Sequence, residues 1–428
     1  MPDLQTLAAL RYNTSRAPID AAVAPPYDVI SPAEQDALLA RDPLNIVRIE
    51  LPREEQGRDK YESAAILFRQ WIADGVLVRD DPPGFYIYDQ EFTNAAGKRV
   101  TRHGFFAACR LEEFSRGNVL PHEKTLSGPK EDRLKLLRAV QANVSPIFAL
   151  YLDPDDHVRR MLEHGATPAE YDFTDASGVR HIVRRATGGR VMDDVREAML
   201  HRKAYIADGH HRYETALKYR DEMRAAHPDA SPDAPWNFIL MYLAAMEDPG
   251  MEIQATHRLL HTLPNFNRAT LESSLKTLFK VETLETMDKG LAALQRAGSD
   301  GFLFAYPGSA SCTLATLHGT VDRASALGSD IPAVLYDVSV TLLHRLVLRG
   351  ILGISDDAQL RKENLEYVHT VDEVRDAMKG SKYQCAVLLN PTSMQQLQAS
   401  AEAGVPMPQK STYFYPKLLT GLVMNDVH

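Results

Sequence analysis

Five consecutive residues, Asp208-Gly209-His210-His211-Arg212, combine a carboxylate, a glycine, two imidazoles and a guanidinium. A cluster of cationic side chains is suited to binding an anion, and phosphate is the natural candidate. Free backbone N–H groups at the start of a helix would add partial positive charge there. The segment therefore indicates a phosphate site, unless Asp208 and Glu214 only neutralise the cations.

The residues on either side predict a turn between a strand and a helix. Upstream, Ala204-Tyr205-Ile206-Ala207 is typical of a buried strand. Downstream, apolar residues recur at helical spacing from Tyr213 to Met223. Gly209 would supply the tight turn between the two elements. Because ligands of α/β folds collect at the ends of strands, this position favours a functional role.

A second segment, Pro121-His122-Glu123-Lys124-Thr125, places a base, an acid and a cation side by side. It lies in a predicted loop before a helix, and a loop can direct two of these side chains into a cleft. A solvated charged turn would have the same composition, so the segment alone does not decide between the two.

Three further segments carry residues that could contact a ligand. His257 and Arg258 form a second His-Arg pair, which a surface helix would also show. The stretch from Met407 to Lys417 holds two lysines, two hydroxyls and three consecutive aromatics between prolines. It is typical either of a phosphate-contacting loop or of an edge strand. The segment from Ala24 to Ile30 places a phenol and a carboxylate in a rigid loop, which a structural turn would explain equally well.

The composition excludes several classes of protein. With 428 residues, 44% apolar and 25% charged, the chain has room for two or three globular domains. A net charge of −9 disfavours nucleic acid as a partner. The three cysteines are widely separated, and no apolar run approaches the roughly 20 residues that cross a bilayer. We therefore expect a cytoplasmic protein without a membrane segment.

Strands and helices alternate along the chain, which predicts a mixed α/β architecture. The spacing predicts helices at 60–74, 129–143, 269–280, 284–297 and 338–352, and strands at 45–51, 85–92, 100–111, 146–152, 238–245, 301–306, 311–317 and 384–390. The proline-marked stretch 226–235 is either a linker or a long surface loop. We expect two domains, residues 1–230 and residues 231–428.

Four motifs in this order resemble the uncharacterised family numbered 1015 among the domains of unknown function, over essentially the whole chain. They are the segments 24–30, 120–125, 206–213 and 407–417. Asp208 to Arg212 is also similar to the nucleotide-site motif of the ParB/sulfiredoxin superfamily, and most similar to that of free-serine kinases. His210 stands where sulfiredoxin carries its reactive cysteine, which argues against thiol repair.

The second resemblance implies a ParB/sulfiredoxin-like nucleotide-binding and catalytic domain over 1–230, and an α+β domain over 231–428 that helps to close the site. It also implies a small-molecule kinase for free L-serine or a similar hydroxyl compound, with ATP or ADP as donor and Mg²⁺ as metal. In this hypothesis, the phosphates are held by Gly209, His211, Arg212, Lys124, His257, Arg258 and Lys410. Asp208 binds Mg²⁺, and Glu123, Asp208 and His210 form the catalytic group, with Glu123 as the base for the hydroxyl.

Two other functions stay open from the sequence. The first is a nucleotide-binding regulatory module that forms no product. The second is a metal-dependent hydrolase with His122, His210, His211 and His257 as candidate ligands. Adjacent His210 and His211 would point in different directions from a helix start, which makes one shared ion awkward. A homodimer is left open as well.

Overall fold

A computed structural model describes residues 3–54, 57–123 and 127–428, and only the backbone of 127–129. It contains 36% helix and 27% strand, which confirms the predicted mixed α/β architecture. The chain divides into two compact units. Unit 1 comprises Met1–Pro121, Thr125–Glu252 and Pro416–His428, and unit 2 comprises His122–Lys124 and Ile253–Tyr415.

A ten-stranded mixed sheet forms the centre of unit 1. In spatial order its main strands are Ala166–Thr174, Arg180–Ala186, Phe85–Thr93, Phe105–Arg110, Phe238–Ala245, Ile147–Tyr151, Ala204–Asp208 and Val119–Leu120, while Leu4–Gln5 and Arg99–Arg102 pair beside this path. Two neighbouring pairs are parallel, and the remaining pairs are antiparallel. The strands predicted at 85–92 and 100–111 form and pair with each other, although the second breaks at His103 and Gly104.

The two faces of this sheet are covered differently, because successive strand residues point to opposite sides. On one face, Phe105, Ala107 and Met241 share a core with three helices. These helices are His157–His164, Gly189–Leu200 and His210–Ala226. On the other face, the rings of Tyr88, Phe106, Phe148 and Tyr242 pack with centroids 5.3 to 5.6 Å apart.

A second core in unit 1 is built by helices near the N-terminus together with the helix that follows the 121–125 segment. These helices are Ile19–Ala22, Pro32–Arg41, Val47–Glu50, Lys60–Ala73 and Ser127–Val140. Short strands join it at Leu10–Tyr12, Leu77–Arg79, Ala142–Asn143 and Asn425–Asp426. The prediction of a strand at 45–51 was wrong. Its β-branched residues form a short buried helix, which Asn45 starts by accepting the Val47 N–H at 2.9 Å.

The unit boundary lies after Glu252, whereas the sequence placed it near residue 230. The strand Phe238–Ala245 pairs with Phe105–Arg110 and Ile147–Tyr151 at the centre of the unit 1 sheet. The proline-marked stretch before this strand is therefore a loop within unit 1.

Unit 2 is built on a six-stranded antiparallel sheet. The strand order is Phe279–Leu284, Cys312–Leu317, Gly301–Ala305, Cys385–Leu389, His257–Leu260 and Leu365–Val368. Its helices are Arg268–Leu275, Met287–Ala297, Arg323–Leu327, Ser339–Leu342, Asp356–Arg361, Val371–Ala377 and Met394–Glu402, with a π-helical stretch at Leu343–Arg349.

The helix predicted at 269–280 ends at Leu275, because Phe279–Leu284 pairs with Cys312–Leu317 as an edge strand. Two short strands, Glu252–Gln254 and Tyr413–Tyr415, complete the secondary structure. In the described part of the chain, no helix is both long and apolar enough to span a bilayer.

Candidate functional site at the end of the Ala204–Asp208 strand

The Asp208–Arg212 segment forms the predicted strand–turn–helix junction. Asp208 ends its strand opposite Phe148, and a register shift precedes it. Gly209 has a φ of +92°, a left-handed conformation that glycine adopts without strain. The 17-residue helix His210–Ala226 begins directly afterwards. The first turn of this helix therefore starts at the end of a strand of the unit 1 sheet, where its N–H groups favour negative charge.

Both carboxylate oxygens of Asp208 face cationic or N–H groups. Lys417 Nζ lies 3.1 Å from Oδ2, and Arg212 Nη2 lies 3.8 Å from Oδ1. The backbone N–H of Gly209 donates to Oδ1 at 2.8 Å. Burial acts to raise the pKa of Asp208, but the charges of Lys417 and Arg212 outweigh it and hold that pKa well below its ordinary value. Asp208 is therefore ionised at neutral pH.

The Arg212 guanidinium folds back over Gly209. A Cβ placed on Gly209 would lie 3.1 Å from Cζ, Nε and Nη2 of Arg212. Arg212 Nη1 donates to the carbonyl oxygen of Pro146. Its Nε is buried and has no hydrogen-bond partner among the residues described. Arg212 therefore has internal partners and one donor left over.

A cavity of about 50 Å³ lies beside Arg212 and is lined by Glu50, Arg133 and Ser145 as well. Glu50 is 2% exposed, accepts the Ser145 hydroxyl at 2.9 Å, and lies 3.6 Å from Arg133 Nη1. Ser145 is in turn 2.7 Å from the hydroxyl of Thr420. Burial raises the pKa of Glu50 despite the opposing charges of Arg133 and Arg212. A few water molecules, or one small polar group, would fit in such a space.

The 24–30 segment lies near the same two arginines. The Arg133 guanidinium stacks over the ring of Tyr27, with 4.3 Å between Cζ and the ring centroid. Burial and the Asp28 carboxylate raise the pKa of Tyr27, while Arg212 and Arg133 act to lower it. Tyr27 is half-buried and Asp28 is exposed. The 24–30 segment, for which a structural turn was an equally good explanation, therefore borders Arg133 and Arg212.

The two histidines of the motif differ in their surroundings. His210 is 7% exposed, and its charge contributes to lowering the pKa of Asp208. His211 is half-buried. Arg212 and His210, both in the first helical turn, thus act on the Asp208 side chain together. We call Asp208, His210, Arg212 and Lys417 the Asp208 cluster.

In unit 2 the structure brings together two other predicted segments. His122 is fully buried, its Nε2 is 2.9 Å from the Thr412 hydroxyl, and its carbonyl oxygen accepts the Met407 N–H at 2.8 Å. Glu123, which is half-buried, forms a parallel bridge with Met407. His122 and Glu123 thus contact Met407 and Thr412 of the 407–417 segment. Lys124 lies outside the described residues.

The other predicted phosphate ligands of unit 2 lie on a strand and a loop. His257 and Arg258 begin the strand His257–Leu260, and both are buried. The Lys410 carbonyl oxygen accepts from Arg258 Nη2 at 3.3 Å, and Lys410 is half-buried with a φ of +57°. The alternative prediction, that this His-Arg pair lies on a surface helix, was wrong.

A resident metal site finds no support in this geometry. Among residues 3–54, 57–123 and 127–428, no three His, Cys, Asp or Glu side chains are grouped to hold a metal ion. Both oxygens of Asp208 already face cations or an N–H, so the carboxylate would have to exchange Lys417 for a metal. The hydrolase hypothesis with four histidine ligands therefore has no structural basis in the described residues.

Sequence reasoning missed three members of this neighbourhood. Lys417 lies in a segment that had been singled out, but no pattern indicated that Asp208 was its partner. Glu50 lay in a predicted strand, where a charged residue is usually solvent-facing. Arg133 belongs to a helix rich in charged residues, and its burial to 5% has no local signal.

Three solved structures are similar to this chain at low identity. Free serine kinase in complex with AMP is 11% identical, with 76% of this chain and 91% of that chain covered and a TM-score of 0.37. A conserved hypothetical protein from Pyrococcus furiosus is 12% identical, with 74% and 92% covered and a TM-score of 0.35. SbnI with C-terminal truncation from Staphylococcus aureus is 10% identical, with 74% and 85% covered and a TM-score of 0.35.

No curated protein matches the chain. One family, described as "Protein of unknown function (DUF1015)", matches residues 4–333. This range includes three of the four motifs that predicted the relationship. The chain therefore belongs to the DUF1015 family of proteins of unknown function.

Proposed function

We propose that the Asp208 cluster binds the phosphates of ATP or ADP, and that the protein transfers a phosphoryl group to a small hydroxyl compound. Free L-serine is the first acceptor to test. The observation that carries the proposal is the pairing of one carboxylate, Asp208, with two permanent cations, Lys417 and Arg212. This carboxylate and its two cations lie at the first turn of a long helix, and a polyanion is a ligand that such a position favours.

The surrounding groups support this charge balance. Glu50 is the buried carboxyl next to Arg212, and Arg133 Nη1 lies 3.6 Å from it, so Arg133 offsets its charge. Arg212 Nε is a buried donor without a partner among the described residues, and an acceptor oxygen would satisfy it. Arg is well suited to phosphate because its planar donors match two oxygens at once.

In this proposal Asp208 positions the two cations, and Lys417 and Arg212 neutralise charge that develops during phosphoryl transfer. The described residues do not form a resident Mg²⁺ site. Mg²⁺ would therefore come bound to the nucleotide, as an ion that keeps several of its waters and uses few protein ligands. It would supply charge neutralisation for the phosphates.

Glu123 is our proposal for the group that accepts the hydroxyl proton of the acceptor. A glutamate in this role needs to be ionised and within reach of the hydroxyl only when substrate is bound. The Glu123→Gln variant keeps the size and the hydrogen-bonding capacity of the side chain while removing the basic oxygen. We expect it to bind nucleotide like the wild type and to lose phosphoryl transfer by about 100-fold or more.

The first experiment is calorimetry of the full chain with ATP, ADP and AMP, with and without Mg²⁺. The second is phosphorus NMR of mixtures that contain one nucleotide, Mg²⁺ and either L-serine, L-threonine, homoserine or glycerol. Arg212→Lys tests the planar donor set with the charge retained, and Arg361→Lys, in an exposed pair with Glu363, is the matched control.

The outcomes separate the candidate functions. Nucleotide binding with a phosphorylated product supports a kinase. Binding without product from any acceptor favours a nucleotide-binding regulatory module. Absence of nucleotide binding would overturn the proposal altogether.

A further inference from the structure

A larger cavity, of about 260 Å³, lies within unit 2. Its apolar wall includes Leu335, Leu360 and Met407, and its polar wall includes Thr341 and His344. Thr341 belongs to the helix Ser339–Leu342, and His344 to the π-helical stretch that follows it. Both side chains line the cavity, three residues apart. The cavity therefore has both apolar and polar walls, and Arg345, Asp356, Gln359, Tyr367 and Gln409 line it as well.

Thr341 brings a hydrogen-bonding group that has no partner. The residue is 1% exposed, and its Oγ1 has no hydrogen-bond partner among the described residues. A buried hydroxyl without a partner destabilises the folded chain, because it has lost its hydrogen bonds to water. Native proteins seldom keep such a group without a use for it. A ligand acceptor atom in the cavity would satisfy this hydroxyl.

His344 is a second donor on the same wall. Its Nε2 lies 3.2 Å from Arg258 Nη2. Because a guanidinium only donates, Nε2 must accept, and the ring is neutral with its proton on Nδ1. Burial, and then the charge of Arg258, keep the pKa of His344 well below its ordinary value. His344 therefore offers an N–H donor while Arg258 holds it in one tautomer.

Behind His344 lies a buried positive charge. Arg258 is 0% exposed, and in the described part of the chain no carboxylate forms an ion pair with it. Its partners are the carbonyl oxygens of Thr256 and Lys410 and the ring of Tyr367, whose centroid is 5.2 Å from Cζ. Burial lowers the pKa of Arg258 to about 10, so it stays charged at neutral pH. A buried charge without a counterion is costly.

Arg345, the arginine that lines the cavity itself, is already neutralised. Arg345 pairs with Asp330 and lies 3.6 Å from Asp356. Arg258 thus leaves one uncompensated positive charge near the cavity, and a ligand with one negative charge would balance it. A phosphate dianion would bring a second charge into a mostly apolar space, where its desolvation has no compensation.

We infer that this unit 2 cavity binds a small organic monocarboxylate with an apolar body. The carboxylate accepts from the Thr341 hydroxyl and the His344 N–H in the field of Arg258, and the apolar body packs on Leu335 and Met407. This site lies beyond the proposed nucleotide site and does not depend on it.

The test is calorimetry of the full chain without nucleotide, with 3-methylbutanoate, 4-methylpentanoate and 3-phenylpropanoate as probes. We expect at least one probe to bind with a Kd of 1 mM or tighter, and its amide to bind at least 10-fold more weakly, since a single charge-assisted bond contributes about 1.5–3 kcal/mol. Thr341→Val removes the buried hydroxyl while keeping the shape of the side chain. It should weaken carboxylate binding at least 5-fold, and exposed Thr283→Val should leave it unchanged.

Arg258→Met provides a second arm, with circular dichroism to show that the variant folds. If it folds, it should abolish the preference for the carboxylate over the amide. If it does not fold, the Thr341→Val result decides alone. Binding of no probe, equal binding of acid and amide, or tighter binding of inorganic phosphate than of every carboxylate would overturn the inference. The Arg212→Lys variant should bind the carboxylate like the wild type, so failure here is distinguishable from failure of the nucleotide site.

Discussion

Lys417 Nζ lies 3.1 Å from Asp208 Oδ2, although 209 residues separate them in the chain. The side chain of Lys417 is 15% exposed and that of Asp208 is 20% exposed, so solvent screens this pair only partly. Lys417 thereby links the last residues of unit 1 to the start of the helix His210–Ala226. This pair explains how a carboxylate can sit at a site that we propose for phosphate.

The first prediction concerns the charge of Lys417. Lys417→Met should weaken ATP or ADP binding about 10-fold or more, because a charge-assisted hydrogen bond contributes about 1.5–3 kcal/mol. Isothermal titration at low salt measures this. Lys379→Met removes an exposed lysine that pairs with Asp376 and should leave affinity unchanged. Equal affinity in wild type and Lys417→Met would show that phosphate does not bind beside Asp208.

The second prediction concerns Gly209. Gly209→Ala should destabilise the protein by about 1–2 kcal/mol through its left-handed φ, and should also displace the Arg212 guanidinium from its position 3.1 Å from the new Cβ. Nucleotide affinity should fall together with stability. Gly178→Ala is the control, since Gly178 has a φ of +82° with no atom within 4 Å of a new Cβ. It should cost similar stability in urea unfolding and leave nucleotide affinity intact.

A third prediction follows from the lowered pKa of Asp208. A carboxyl with a depressed native pKa adds stability above its unfolded pKa, which is about 3.9, and this contribution is lost as pH falls further. The wild type should therefore be more stable than Asp208→Asn at pH 6, and the difference should shrink between pH 4 and pH 3. Urea unfolding at these three pH values tests this. A difference that grows on acidification would contradict the ion pairs of Asp208.

A fourth prediction concerns the buried His257 of unit 2. Burial, with a smaller contribution from Arg258, lowers the pKa of His257 to about 4. Between this value and the ordinary value of about 6.5, the unfolded chain binds a proton that the native chain does not. Stability should consequently fall as pH drops from 6.5 to 4, by roughly 3 kcal/mol at most for this group.

His257→Gln removes the titrating ring and should flatten that part of the stability profile. The exposed His201→Gln is its control and should retain the wild-type slope. The measurement is urea unfolding at half-unit steps from pH 7 to pH 4. Parallel profiles for all three proteins would show that His257 titrates alike in the folded and unfolded chains.

The sequence predicted most of the strand–turn–helix junction, because each part has a local signal. The apolar run before Asp208, the glycine at the turn and the apolar spacing from Tyr213 are all visible within twenty residues. Ala166–Thr174 and Arg180–Ala186 were missed, since their many charged and polar residues lack the apolar alternation of a half-buried strand. The strand predicted at 45–51 was wrong for the opposite reason. Its apolar residues are buried in a short helix and do not pair with a neighbouring strand.

The side-chain partners were less accessible to sequence reasoning than the backbone. Five segments were singled out, yet nothing indicated that Tyr27 lies near Arg133, or that His122 faces Thr412. Such contacts depend on the order of strands in a sheet, which composition does not specify. Glu50 shows what the sequence cannot specify. Neither the residue type nor its neighbours along the chain distinguish a buried glutamate from an exposed one.

Residues 416–428 belong to unit 1, although residues 253–415, which form nearly all of unit 2, come immediately before them in the chain. Thr420 contacts Ser145, and Asn425–Asp426 pairs with Ala142–Asn143. The partners of residues 420–426 are therefore synthesised much earlier than these residues themselves. Lys417 and the strand Asn425–Asp426 can therefore join unit 1 only after residues 253–415 have been synthesised, so unit 1 cannot finish folding before most of unit 2 has been made.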